Sequence, residues 1–386
     1  MDTDLKIKEI EFEKVSGSGA TTYLTHNFHT YPAKFIPQIP KTTILALTKE
    51  GDTVLDPFGG CGTTLVEAKL LNRNAIAVDI NPVGVLVSKA KTTILMENQI
   101  EKINKILCLI KEDTKNFYDK KQIKLNYVIP AFNNLDHWFD SNVAHELAIA
   151  VGYINKISDE DLRNYLLTAF SSIIVDVSNQ ESDTRFAAIK KELKSFMVID
   201  ALTSKLERMN KRILEFSNNA SNSKVNIFNG DARNLDFLKD NSIDHVVTSP
   251  PYANTYDYYL YHKFRMVWLG YDVKEVQDNE IGSRNRHSSK KEDIDTFEKD
   301  LDDCLREINR VLKPNKYAVI VIGDSVIRGK LIKANILLEK IADKNNFKLV
   351  RTISCNLSKN SRMFNPKFTN KDKEEHIMFF RNMKNE

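Results

Sequence analysis

Glycine is scarce in this chain, 13 in 386 residues, about half the ordinary usage. Yet Gly51, Gly59, Gly60 and Gly62 fall within a single stretch of twelve residues. The surrounding text, residues 51–82, is GDTVLDPFGGCGTTLVEAKLLNRNAIAVDINP. TVLD reads as a short buried strand and FGGCG as a tight turn. TTLVEAKLLN reads as a helix with its apolar positions on one side, and AIAVD as a second strand. Strand, glycine turn, helix and strand form the right-handed crossover unit of a doubly wound α/β sheet.

Such a turn has a chemical use. Glycines let a ligand approach the backbone closely, and the following helix begins with free N–H groups. Asp79, at the end of the second strand, stands where a ribose diol is bound in folds of this kind. This half of the chain is therefore expected to bind a nucleoside. A dinucleotide fingerprint would need a third glycine where Leu65 stands, which weakens a nicotinamide oxidoreductase reading. A carboxylate just before the turn, Asp56, suits a cationic amine better than a pyrophosphate.

A second feature lies far downstream. Residues 248–252 read TSPPY, after SIDHVV and before ANTYDYYLYHKF. Two adjacent prolines break a helix or a central strand, so a strand must end here. Taken alone, the motif reads as a turn.

Taken together, DPFGGCGTT and TSPPY resemble the motifs of the amino-group DNA methyltransferases. These enzymes use S-adenosylmethionine to modify cytosine N4 or adenine N6. Two further stretches agree. HTYPAKFIPQIP (29–40) looks like the family segment that closes over the methionine moiety, which implies contacts from Tyr31, Pro32, Lys34 and Phe35. NIFNGDARNL (226–235) looks like the third strand, with Asp231 and Ala232 meeting the adenine of the cofactor. The resemblance assigns the cofactor loop to Asp56, Pro57, Phe58, Gly59, Gly60, Gly62, Thr63 and Thr64. It assigns the second-strand end to Asp79, Ile80 and Asn81, and the catalytic motif to Ser249, Pro250, Pro251 and Tyr252. The implied fold is a Rossmann-like class I methyltransferase sheet. Serine at the head of the motif points to cytosine N4, since aspartate or asparagine is usual there for adenine N6. In that reading Tyr252 stacks on a flipped-out base, while Ser249 Oγ and the Pro250 carbonyl accept the amine hydrogens.

The resemblance covers roughly residues 25–98 and 225–386, after an N-terminal segment 1–24. Asp79 and Asp231 are much farther apart than the pattern requires. Residues 99–224 are accordingly read as a helical insertion, because HELAIAVGYINKI, DLRNYLLTAFSSIIVDV and FMVIDALTSKLERMNKRILEF carry apolar residues at helical spacing. Cys61 stands in the cofactor loop in place of a small hydroxyl residue. It is read as packing, with a C5-cytosine nucleophile as the rival. Other rivals are an adenine-N6 enzyme and an RNA base methyltransferase on the same scaffold.

The net charge is +4, from 56 basic and 52 acidic residues, so only local clustering could mark a nucleic-acid surface. Two loops cluster. Residues 282–291 hold Arg284, Arg286 and Lys290; residues 358–373 hold Arg362 and Lys367 among phenylalanines. Both are candidates for contact with double-stranded DNA. The four cysteines form no CxxC or Cys/His cluster, so neither a disulfide framework nor a metal site is expected. The charged start MDTDLKIKEIEFEK and the lack of a long apolar run predict a cytoplasmic protein with no membrane partner, and the resemblance implies a prokaryotic one. A cognate restriction endonuclease is the expected functional companion.

Overall fold

The computed structural model describes residues 3–12, 17, 19–183, 185–192, 194–289, 292–356 and 373–384. Its main sheet has seven strands: β1 (Thr53–Asp56), β2 (Asn74–Asp79), β3 (Val225–Asn229), β4 (Ile243–Thr248), β5 (Leu312–Gly323), β6 (Phe347–Asn356) and β7 (Glu374–Asn382). They lie in the order 3-2-1-4-5-7-6. Neighbours from β3 to β5 are parallel, and β7 runs antiparallel between β5 and β6. The chain order reverses between β1 and β4, and that switch point is where an open α/β sheet forms its ligand crevice.

Side chains of β5 alternate as a pleat requires. Val319 and Val321 pack with Val54, Ala75 and Ala77 on one face; Ala318, Ile320 and Ile322 pack with Leu55 and Val78 on the other. Both faces are covered, so the central strands read as near-continuous apolar runs rather than alternating ones. Helices α1 (Gln38–Leu47) and α2 (Thr63–Leu70) cover the first face through Ile44, Leu47 and Leu65. Helix α3 (Pro82–Thr92) begins with Pro82 at its first position and is capped by Asn81, whose side chain accepts from the Val83 N–H.

The insertion is built on α4 (Glu97–Tyr118), α5 (Ser141–Asn155), α6 (Glu160–Ile173) and α7 (Met197–Asn219). Their apolar stripes form one core that includes Leu86 of α3 and Phe28, so the insertion rests on the cofactor half. It also contains a short hairpin, Gln180–Ser182 with Arg185–Ala188, that the helical reading missed. Strands of three and four residues are too short to display a period of two.

After the insertion come α8 (Tyr258–Tyr261), α9 (Val273–Asn279), α10 (Ile294–Val311) and α11 (Ala334–Lys344). Helix α10 buries Phe297, Leu301, Cys304, Leu305 and Ile308, a three-to-four spacing that lays one stripe on the second face of the sheet. VNIF, IDHVVT and YAVIVIG lie on β3, β4 and β5, and β6 and β7 form a terminal hairpin.

Candidate active site

Parallel pairing of β1 with β4 brings DPFGG and TSPPY to the same edge of the sheet. A cleft of about 860 Å³, its open mouth included, lies there. Its walls come from the segment after residue 30, the glycine loop, the ends of β2 and β3, and the start of the proline motif. Tyr31, Pro32, Lys34, Phe35, Pro57, Phe58, Gly59, Gly60, Thr63, Asp79, Ile80, Asn81, Asp231, Ala232, Ser249 and Pro251 all line it.

The loop folds as it does because Gly60 and Gly62 have φ of +48° and +77°. It also lies hard against α3: a Cβ on Gly84 would stand 2.7 Å from the Gly60 carbonyl oxygen. Asp79 closes the loop from the other side. Its Oδ2 accepts from the Gly60 N–H at 2.7 Å and its Oδ1 from the Asn81 N–H at 2.8 Å. Burial pushes this carboxyl up to about 6 against those two hydrogen bonds. The carboxylate keeps lone pairs for further donors. Beside it, Asn81 is buried and its Nδ2 has no hydrogen-bond partner, a donor left for whatever fills the cleft.

Several assigned residues sit elsewhere. Asp56 is 1% exposed and does not reach the cleft. Its Oδ1 accepts from Thr248 Oγ1 at 2.5 Å and from the Phe58 N–H, and its Oδ2 accepts from Thr64 Oγ1 at 2.7 Å. Asp56 and Thr64 therefore tie the glycine loop to the strand that carries TSPPY. A ligand amine is not within Asp56's reach, because donors of the fold occupy it. Gly62 packs on Ser88 rather than on the cleft. Pro250 is buried behind Ser249 and Pro251. The Tyr252 ring lies against Gly323 and its hydroxyl donates to Glu375 Oε1 at 2.8 Å.

Arg286 is not a free cation for phosphates. It pairs with Asp300 and Glu292, each at 2.9 Å, and Asp300 also pairs with Arg233. Arg233 in turn clasps both oxygens of Asp231. Arg284 is exposed. Lys290, Arg362 and Lys367 lie outside the described residues.

Sequence reasoning missed one wall altogether. Val276, Asn279, Glu280 and Ile281, at the end of α9, close the cleft. Burial pushes the Glu280 carboxyl up to about 8, although it accepts from the Tyr258 and Tyr259 N–H groups and so caps α8. The signal was slight: an acid beside Gly282, whose φ is +65°. Of the tyrosine run, Tyr258 faces the cleft and stacks on Tyr31, whereas Tyr259 is buried packing. Cys61 also faces the cleft. Burial pushes its thiol up, but the Lys91 and Lys34 ammoniums outweigh burial and hold it below the usual range.

Among the described residues, Asp324, Glu374 and His376 bring ligand-type atoms within 4.8 Å of one another. The Lys333 ammonium stands 2.8 Å from Asp324 Oδ2, in the place a cation would take. No helix among the described residues is long and apolar enough to cross a membrane.

A doubly wound sheet that gathers a glycine loop and a proline motif on one cleft at its switch point defines an α/β protein of the nucleoside-binding kind. Comparison with known proteins names the family. The profile of a DNA methylase family (N6_N4_Mtase) matches residues 6–89 and 243–386, more than half of the chain, and the chain belongs to that family. The unmatched stretch between them contains the whole helical insertion. The chain is similar to the type II methyltransferase M.MvaI of Kocuria varians, 27% identical over 377 residues, covering 84% of this chain and 82% of that one. It is also similar to the type II methyltransferase M.MjaII of Methanocaldococcus jannaschii, 25% identical, covering 89% and 78%. Among solved structures, the Thermus thermophilus protein TTHA0409, complexed with S-adenosylmethionine, overlaps 40% of this chain and 53% of its own. That overlap has 25% identity and a TM-score of 0.26.

Proposed function

We propose that this DNA methylase transfers a methyl group from S-adenosylmethionine to the exocyclic N4 of a flipped-out cytosine in double-stranded DNA. The observation that carries the reading is the shared cleft, with Asp79 and the glycine loop on one wall and Ser249 on another. The cleft fits the cofactor. Asp79 can accept from ribose hydroxyls, Asp231 from the adenine amine, and the unpartnered Asn81 Nδ2 supplies a donor. When bound, the cofactor supplies an electrophilic methyl group on a sulfonium.

The remaining work falls to the target side. A base amine inside a duplex cannot reach the cleft, so the base must leave the stack. The lone pair of the cytosine amine is delocalised into the ring. An acceptor on each amine hydrogen favours a pyramidal nitrogen whose lone pair is directed at the methyl group. Ser249 Oγ is one acceptor. Pro250 and Pro251 hold the backbone extended and bring no N–H that would compete. The gain is positioning and preorganised polarity, with no covalent enzyme intermediate. Serine at the head of the motif favours cytosine over adenine, and the likeness to type II methyltransferases of Kocuria varians and Methanocaldococcus jannaschii supports pairing with a restriction endonuclease in a prokaryotic cytoplasm. Arg284 is the DNA contact retained among the described residues.

Mass spectrometry of nucleosides from DNA modified in cells tests this directly. N4-methylcytosine is the expected product. N6-methyladenine would move the assignment to the other branch of the family, and 5-methylcytosine would make Cys61 the nucleophile.

A further inference from the structure

With Asp56 turned inward, a cationic ligand must find another acid. Among the described residues, Asp79, Asp231 and Glu280 bring carboxylates to the cleft. Arg233 clasps both oxygens of Asp231. Asp79 stands at the end of β2, the ribose position, and its oxygens accept from the Gly60 and Asn81 N–H groups. Glu280 is left. It is 4% exposed, and its Oε1 accepts from the Tyr258 N–H at 2.7 Å and its Oε2 from the Tyr259 N–H at 3.2 Å. Arg233 reaches the neighbouring Asn279 carbonyl, but its guanidinium is spent on Asp231 and Asp300. Among the described residues no cation pairs with Glu280.

A carboxylate that accepts from two donors still has lone pairs to offer. Buried without a counter-charge it is costly to ionise, and burial raises it to about 8, with the Asp257 and Asp79 carboxylates adding to the rise. An incoming cation offsets that cost. The wall that carries Glu280 also touches both ends of the cleft. Through Tyr258, whose ring stacks on Tyr31, it meets the segment after residue 30. Two residues on, the Gly282 carbonyl accepts from the Asn254 N–H, just past the proline motif, at 2.9 Å.

We propose that Glu280, in place of Asp56, is the acid that receives a cationic group of S-adenosylmethionine, its sulfonium or its ammonium. The inference rests on the cofactor assignment above and adds to it a residue that no motif contains. It gives the α9 wall a part in holding the cofactor beyond closing the cleft.

The test is calorimetry with three ligands: S-adenosylmethionine, which carries both cations, S-adenosylhomocysteine, which keeps the ammonium alone, and 5′-methylthioadenosine, which has neither. A cation favours ionised Glu280, so its binding drives off the carboxyl proton below about pH 8. The measurement is made between the Asp79 value of about 6 and the Glu280 value of about 8, in buffers of different ionisation enthalpy. The wild-type protein should release about one proton with S-adenosylmethionine and almost none with 5′-methylthioadenosine. Glu280→Gln should abolish the release and weaken S-adenosylmethionine roughly tenfold to a hundredfold, with 5′-methylthioadenosine unchanged. S-adenosylhomocysteine should follow S-adenosylmethionine if the ammonium is the partner, and 5′-methylthioadenosine if the sulfonium is. The wild-type proton count decides the matter even where the variant folds poorly. Equal release with S-adenosylmethionine and 5′-methylthioadenosine, or an unchanged S-adenosylmethionine affinity in folded Glu280→Gln, overturns the proposal. A wild-type protein that binds none of the three overturns the cofactor assignment, and this inference with it.

Discussion

The loop after β1 and the turn after β4 leave the sheet side by side, yet they hold their shapes by opposite means. The loop depends on freedom: Gly60 and Gly62 adopt positive φ, and the parts that brace it, Asp79 and α3, lie within about thirty residues. The turn depends on restriction, through two prolines, and on partners far along the chain, Gly323 and Glu375. Asp56 joins the two, accepting from Thr64 on one side and Thr248 on the other. In the proposed function the glycine end binds the cofactor and the proline end orients the target amine, and the two tasks should separate under mutation.

The largest separation is expected at the proline end. Ser249→Ala should slow single-turnover methylation by on the order of 3 kcal/mol, more than a hundredfold. Cofactor affinity, measured by calorimetry, should hardly change, because the interaction strengthens only as the nitrogen pyramidalises. A wild-type rate would reduce TSPPY to a turn.

The glycine end should show the reverse. Asp79→Ala is expected to weaken S-adenosylmethionine binding by about 1.5–3 kcal/mol, ten- to a hundredfold. The pH dependence sharpens this. Burial raises the Asp79 carboxyl to about 6, so it is ionised above that pH and able to accept from both ribose hydroxyls. Affinity should therefore fall as the pH drops through about 6, and Asp79→Asn should flatten that profile. An unchanged profile would show that another group carries the ribose.

Smaller effects test how far local reading can be trusted. Arg284→Ala should reduce the salt dependence of DNA binding by about one released counterion. Arg286→Ala should leave that slope alone and lower the melting temperature, because its guanidinium is spent on Asp300 and Glu292. Equal slopes for the two variants would reject the distinction. Smallest of all, Cys61→Ser should keep most of the methylating activity, assayed by product mass spectrometry. Loss of methylation with cofactor binding intact would revive a covalent mechanism.

Residues 51–82 by themselves determined a crossover unit, a nucleoside-type loop and the place of Asp79, because all three arise from contacts between near neighbours in the chain. TSPPY announced the end of a strand, and its pairing with DPFGG announced the family. Tertiary structure alone decided the rest. It turned Asp56 inward, because Thr64 and Thr248 converge on it from two elements. It turned Arg286, a candidate for DNA contact, to an ion pair, because Asp300 lies across from it on α10. It supplied the α9 wall with Glu280, and it set Glu375 against Tyr252, 123 residues earlier in the chain. The physical reason is the same in each case. A backbone turn is dictated by its own residues, whereas the partner that satisfies a buried polar group is chosen by packing, and packing brings together positions with no sequence relation.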